Sequence, residues 1–517
     1  MNRLQRLLTP PRLVFGLLMA VFLAAGLHLA ADYGISWDEP IQVDIGIKNY
    51  RYVVHADPAL LELKDRHYGP LFEMFLVRFM DQTSPRSMFI SRHRLTFLAF
   101  WAGVIGFYLL LERVFPRRWL ALFGAGLLVF SPRIFADAFY NSKDIPFMVA
   151  VIWAAAALQY YLKNPSFQRV LLVGLFSAVT TGIRLPGVFL VALTALMMGR
   201  DVLAGRLPLR RAAGHGLVYL LIFAGLTFLF YPVFWREPLT EIPQAFEIMA
   251  NFPHFASVLY MGHFLSPQTL PWHYLPVWIG ITTPIPCLLL ILTGIGRAIW
   301  QWLHSPKSLL AVESTPLMLA ALWLGLPLGA VAVRGAPMYD AWRQMFFIYP
   351  ALLIFATAGW DWFSGTIRRR IGNNTLNLPL TVILAVVIFA PAALWMAAHH
   401  PYQNLYFNPL AGPDMQTVKM RFDMDYWGLT YRRGLEAILE HDQRPLINIY
   451  AANFPGEANA AILPPDQAGR LNFVQNIEEA DYFITNYRWH PQDYPYNDEI
   501  FTLRLGNARV LSVFRLR

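Results

Sequence analysis

Apolar residues in this chain fall into blocks, most of them about 18 to 24 long, the length that crosses a bilayer as a helix. They lie near 12–31, 93–112, 118–135, 145–162, 169–182, 186–199, 214–234, 274–296, 315–333, 344–360 and 378–398. The pattern predicts an all-α polytopic membrane region with about eleven transmembrane helices. After 398 the pattern changes. Short apolar runs suited to strands cover 446–451, 471–475, 480–486, 499–504 and 508–516, with Gly506-Asn507 as a hairpin turn. Helical patterns at 428–441 and 456–463 interleave with them. The chain therefore divides into a transmembrane region, 1–398, and a small α/β domain, 399–517.

Composition sharpens this picture. Of 517 residues, 56% are hydrophobic and only 15% charged, with a mean hydropathy of +0.40, which excludes a water-soluble enzyme of this size. The formal net charge of +9 would suit nucleic acid, but the basic residues sit in short clusters between spans rather than on one patch, so nucleic acid is not expected as a partner. Arg3, Arg6 and Arg12, Arg113, Arg117 and Arg118, Arg200, Arg206, Arg210 and Arg211, and Arg368, Arg369 and Arg370 mark alternate loops. By the positive-inside rule those loops are cytoplasmic. The N-terminus is then cytoplasmic, and the odd number of spans puts the C-terminal domain outside, in the periplasm if the membrane is the bacterial inner membrane that the compact loops favour. The first block exceeds the 7 to 15 residues of a signal-peptide core and reads as an uncleaved helix. The single cysteine, Cys287, permits no intrachain disulfide and no cysteine metal site.

Unusual polar residues gather in the loops on the external side. Asp38-Glu39-Pro40 follows the first span and holds two carboxylates at the membrane surface, where shielding from water would raise a carboxylate toward the range of a general base. Either acid can also cap a helix opened by Pro40, and the two roles are compatible. Tyr140-Asn141-Ser142-Lys143-Asp144 sits at the next external turn. There Lys143 offers a point charge for a phosphate and Asp144 a partner for it, or else Asp144 caps the following span and Lys143 snorkels. Arg184, between Gly182 and Pro186, requires an anionic partner if buried. Tyr339-Asp340-Ala341-Trp342-Arg343 adds a second arginine and an acid.

Together these loops would set proton-accepting carboxylates beside cations suited to a phosphate leaving group. His254, His263 and His273 match no zinc spacing, so no metal is expected, and the chain lacks the glycine-rich nucleotide loops. In the tail, Asp423, Asp425, Tyr426, Trp427 and Arg432 either roof an acceptor site or form a packing interface.

Asp38-Glu39 in the first external loop, Asp144-Ile145-Pro146 in the second, and His67-Tyr68-Gly69-Pro70 between them resemble the membrane-embedded GT-C glycosyltransferases, in the branch of protein O-mannosyltransferases and the lipid A aminoarabinose transferase. The resemblance covers about the first 200 residues by motif and the rest by architecture. It implies a polyprenyl-phosphate-linked sugar donor, a lipid, glycan or protein acceptor, and transfer with inversion at the external face of a membrane whose lipids it contacts. Asp38 would be the base and Glu39 its positioning partner. His67, Lys143, Arg184 and Arg343 would face the donor phosphate, with Tyr140, Asn141, Asp144, Tyr339 and Asp340 lining the substrate site. No cofactor or divalent metal is implied. The alternative from another class is a lipid or solute transporter or flippase, which would place its charges near the bilayer midplane and show matching interrupted helices.

Overall fold

The computed structural model describes residues 9–251, 256–335, 337–371 and 374–517. Arg3, Arg6 and His254 lie outside them. The elements that build the membrane region are α1 (Pro10–Leu29), α2 (Glu39–His55), α3 (Leu71–Phe79), α4 (Pro85–Val114), α5 (Arg118–Val129), α6 (Pro132–Tyr140), α7 (Asp144–Lys163), α8 (Phe167–Ile183), α9 (Phe189–Leu203), α10 (Leu209–Phe230), α11 (Pro238–Ala250), α12 (Tyr274–Thr282), α13 (Ile285–His304), α14 (Thr315–Arg334), α15 (Tyr349–Ile371) and α16 (Asn374–Ala398).

Among the described residues, nine helices are long and apolar enough to cross a membrane, and the bent pair α5–α6 makes a tenth. Helix α8 is apolar but shorter, at 17 residues, so nine or ten of the expected eleven spans have the length to cross. The protein is a polytopic membrane protein. Its centre is α7, of whose span 89% is buried, against 11% for α1 and 6% for α10. The run Ala154 to Ala157 explains why: small side chains let α4 and α8 pack closely on either side. The same device joins α13 to α15, where a methyl group on Gly294 would sit 1.9 Å from the Phe355 carbonyl oxygen and one on Gly359 2.3 Å from that of Leu290.

Two expected spans are broken. The block at 118–135 bends by 68° between α5 and α6, because Pro132 lacks an N–H and its ring clashes with the preceding turn. The second limb, α6, then runs through the core with every residue buried, so the residues expected to form a short turn from 136 are helical as far as Tyr140. The block at 274–296 breaks at Thr283-Pro284, since a residue before proline favours extended backbone and Thr283 adopts it. Asn408 makes the break affordable in polar terms, donating to the freed carbonyls of Gly280 (2.6 Å) and Thr283 (2.7 Å).

The tail agrees closely with the expected strand pattern. Strands β3 (Ile447–Ala451), β4 (Leu471–Phe473), β5 (Tyr482–Thr485), β6 (Glu499–Leu505) and β7 (Ala508–Arg515) form a sheet of order β4-β3-β5-β7-β6. The β4, β3 and β5 strands run parallel, while β5–β7 and β7–β6 pair antiparallel. One helix, Tyr431–His441, covers it with Tyr431, Leu435 and Ile438 against Ile449, Ile484 and Val513. The helical pattern at 456–463 is only a turn of α-helix followed by a 3-10 turn.

The last span ends at Ala398, but the independent core of the domain begins at Tyr431. Residues between them, including Leu405, Phe422 and Trp427, join the membrane core. A short antiparallel hairpin, β1 (Val258–Tyr260) with β2 (His263–Leu265), was not foreseen in the long loop after α10, and it docks on 421–423 through Gly262 N–H to Arg421 O and Asp423 N–H to Leu259 O.

Candidate active site

One end of the bundle collects the loop after α1, the α6–α7 turn, the break after α8 and the segment before α15. Asp38 ends the first of these. It occupies the N-cap position of α2, yet its side chain caps nothing. Instead Oδ2 meets Lys143 Nζ at 2.8 Å and Arg343 Nη1 at 3.1 Å. Burial by itself would raise this carboxyl, but Arg343, Lys143 and, farther off, Arg488 outweigh it and hold Asp38 below the usual carboxylate range. The expectation of a raised Asp38 is therefore corrected: shielding from water is real, and the adjacent cations overrule it.

Glu39 behaves differently from its neighbour. Its Oε2 accepts from Ser36 N–H (2.7 Å) and its Oε1 meets His93 Nε2 (2.9 Å). One oxygen thus ties the backbone ahead of α2 and the other ties α2 to α4, so Glu39 caps no N–H of its own helix and bears on the cluster only by fixing the backbone that carries Asp38.

Asn141 shapes the next turn. Its Oδ1 accepts from the Asp144 N–H (2.8 Å), and its Nδ2 donates to Asp144 (3.1 Å) and Asp137 (2.9 Å). Asp144, almost fully buried, pairs with Arg184 and at 3.1 Å with Arg343. The anionic partner that Arg184 required is thus Asp144. Arg343 in turn grips Asp340 through Nη2 (2.9 Å) and Nε (3.2 Å), while the Trp427 ring covers it at 4.6 Å and the Tyr339 ring at 5.3 Å.

Two expected site residues lie elsewhere. His67 is buried and bound through Nε2 to Glu241 (2.6 Å), not to any member of the cluster, and burial holds it below the usual histidine range despite Glu241. Its neighbour Tyr68 takes the expected place, with its ring 5.3 Å from Lys143 Nζ. Gly69 permits this, because a methyl group there would lie 2.3 Å from the Ile183 carbonyl oxygen. Tyr140 is buried behind the cluster, against Tyr33 and Trp427.

Other contributors went unnoticed in the sequence. Arg488, from the α/β domain, pairs with Asp340 at 2.8 Å. Beneath the α6–α7 turn, Ser142 donates to Glu73 (2.5 Å) and Arg92 pairs with Glu73 (2.7 Å). Burial raises Glu73, partly offset by Arg92. In the tail segment, the Trp427 ring packs on Arg343. Asp425 instead accepts from the N–H groups of Gly428, Leu429 and Thr430, and Arg432 holds the carbonyls of Ala31 (2.6 Å) and Tyr33 (3.0 Å).

In this set of ion pairs four cations, Lys143, Arg184, Arg343 and Arg488, face three carboxylates, Asp38, Asp144 and Asp340. Asp38 is the most open of them, with its side chain 21% exposed. Among the described residues no group of three or more His, Cys, Asp or Glu is arranged to hold a metal ion. Elsewhere, α1, α5 and α16 flank an open apolar cleft of about 1280 Å³, lined by residues such as Met19, Phe22, Phe123, Val386 and Phe389 and reaching His400 and Gln403.

No protein-family model and no curated protein matches the chain. Among solved structures it is similar to ArnT from Cupriavidus metallidurans in the apo state, over 96% of this chain and 97% of that one, at 15% identity and a TM-score of 0.47. The same protein bound to undecaprenyl phosphate aligns over 96% and 98%, at 16% identity and a TM-score of 0.46. The S. cerevisiae protein O-mannosyltransferase Pmt1-Pmt2 complex bound to the sugar donor aligns over 44% of this chain and 34% of that one, at 16% identity and a TM-score of 0.31.

Proposed function

We propose that the protein is an integral membrane glycosyltransferase that moves a sugar from a polyprenyl-phosphate donor to an acceptor hydroxyl, with inversion. The observation that carries this reading is the cluster itself: one partly open carboxylate, Asp38, held directly between Lys143 and Arg343 at the end of a membrane bundle. In the reaction the acceptor oxygen forms a bond to the anomeric carbon, the bond from that carbon to the phosphate oxygen breaks, and the hydroxyl proton passes to Asp38. The lipid phosphate leaves with the electron pair, against Lys143, Arg184 and Arg343.

A carboxylate held so firmly ionised is a weak base. A phosphate ester entering the cluster competes with Asp38 and Asp144 for the cations, and each partner that Asp38 gives up raises its basicity. Donor binding and base activation are then one event. Side-chain cations meet the developing charge, and the reading requires no cofactor and no divalent ion. The apolar cleft supports a lipidic substrate, since it offers a prenyl or acyl chain a place within the bilayer. The reading places the protein in a bacterial inner membrane, with Asp38 and the α/β domain on the periplasmic side.

The test is turnover of a panel of polyprenyl-phosphate sugars by the protein in lipid nanodiscs, with membrane extract as acceptor source. Wild type is expected to consume one donor, and Asp38→Asn to lower the rate by about 10²-fold or more. Equal rates for the two, or no donor consumed, would refute the proposal and direct attention to transport.

A further inference from the structure

Contacts within the site run in a definite order. Arg184 touches Asp144, Asp144 touches Arg343, Arg343 touches Asp38 and Asp340, and Asp340 touches Arg488. At the far end the Arg488 guanidinium lies 4.9 Å from the Trp37 ring and 4.7 Å from the Trp489 ring. Those rings stand 5.8 Å apart at 74°, forming an L whose corner is the guanidinium. Phe454, 45% exposed, extends the Trp37 wall at 6.0 Å.

Backbone strain marks the same place. Left-handed φ values at non-glycine residues are uncommon and collect at ligand sites. Six of the described residues have them, and four of the six, Asp340, Ala341, Tyr487 and Trp489, flank the Asp340–Arg488 pair. A simple strut between domain and bundle needs one ion pair, not two strained turns and two part-exposed indoles.

We propose that Trp37, Trp489 and Arg488 form the acceptor subsite, and that it takes a neutral saccharide ring. The inference rests on Asp38 as the proton acceptor described above. With Lys143 and Arg343 directly on Asp38 and Arg184 beyond Asp144, the donor phosphate takes that side, the acceptor approaches Asp38 from the side of Arg488, and Trp37 is its chain neighbour. The negative faces of two indoles attract the positively polarised C–H bonds on a sugar face. Asp340 and the Tyr426 carbonyl already take the Arg488 Nη groups, so the corner makes no demand for an anionic ligand.

Saturation-transfer NMR on the full-length protein in nanodiscs, against methyl glycosides of neutral hexoses, aminosugars and pentoses, reads binding without turnover. Wild type should transfer saturation to one face of at least one glycoside. Trp489→Ala, and independently Trp37→Ala, should weaken that binding roughly tenfold, while Trp489→Phe retains most of it and controls for misfolding. Asp38→Asn should leave it intact. If no glycoside receives saturation, or if the signal survives both alanine variants, the subsite is refuted. Glycoside binding that needs Trp489 in a protein that consumes no donor would instead uphold the subsite and refute the transferase reading.

Discussion

At its opposite end the bundle holds a second charged group, Arg200 and Arg206 around Asp201, and the two groups use their charges differently. There, Arg200 donates to the Leu309 carbonyl (2.8 Å), the Ala311 carbonyl and the Thr315 hydroxyl (2.9 Å), and its single carboxylate partner, Asp201, is shared with Arg206. Backbone carbonyls are fixed acceptors that no ligand displaces. Around Asp38 the arrangement is reversed: every hydrogen bond described for Arg343 ends on a carboxylate, and Lys143 Nζ donates to Asp38. Carboxylate oxygens resemble those of a phosphate in charge and hydrogen-bonding capacity. One cluster is a brace; in the other, Lys143, Arg184 and Arg343 rest on exchangeable anions.

That contrast can be broken most sharply with paired variants. Asp38→Asn should cost about 10²-fold or more in turnover of the folded fraction. Asp201→Asn should keep per-molecule activity in the folded fraction but destabilise by roughly 1–3 kcal/mol, because it takes from buried Arg200 and partly exposed Arg206 their shared carboxylate. Turnover per folded molecule, with thermal melts in nanodiscs to count the folded fraction, decides the matter, and a comparable loss of turnover in Asp201→Asn would erase the distinction.

Lys143→Ala should lower turnover about tenfold to a hundredfold and raise the donor KM, whereas Arg206→Ala should do neither. Steady-state kinetics over a range of donor concentration separate the two.

A smaller effect concerns pH. Burial raises Asp423 to about 7, against Arg488 and the Leu259 N–H, which lower it. Its folded-state value thus lies above the ordinary 3.8. The folded protein then binds the extra proton, and stability falls as pH rises from about 4 through about 7. Asp423→Asn should flatten that slope in melts between pH 4 and 8. The smallest expected change is with EDTA, which should alter turnover by less than about twofold if side-chain cations alone meet the phosphate charge.

The spans and strands were legible because burial in lipid and in a half-covered sheet each imposes a period on the sequence. The breaks at Pro132 and Pro284 were less so, since proline also starts helices, and only the neighbours decide between the two. Lys143, Asp144, Arg184 and Arg343 were legible as charges at helix ends where lipid tolerates few. Asp38 and Glu39 could not be told apart: adjacent positions at a helix start point about 100° apart, and which one meets Lys143 depends on His93 claiming the other. Arg488 and Tyr68 carried no local signal, for each is drawn to the site by partners distant in the chain.

The stretch before Asp38 is held from the far end of the chain. Asn459 clasps the N–H of Ile35 (2.8 Å) and its carbonyl (2.9 Å), the Trp427 carbonyl accepts from Trp37 N–H (2.9 Å), and Arg432 binds the carbonyls of Ala31 and Tyr33. Asp38 emerges early in synthesis, yet its setting is finished only after residues past 450 have reached the same side of the membrane. A half-made or truncated chain would therefore carry Asp38 without its frame, so the geometry of the ion-pair cluster is itself a product of complete assembly.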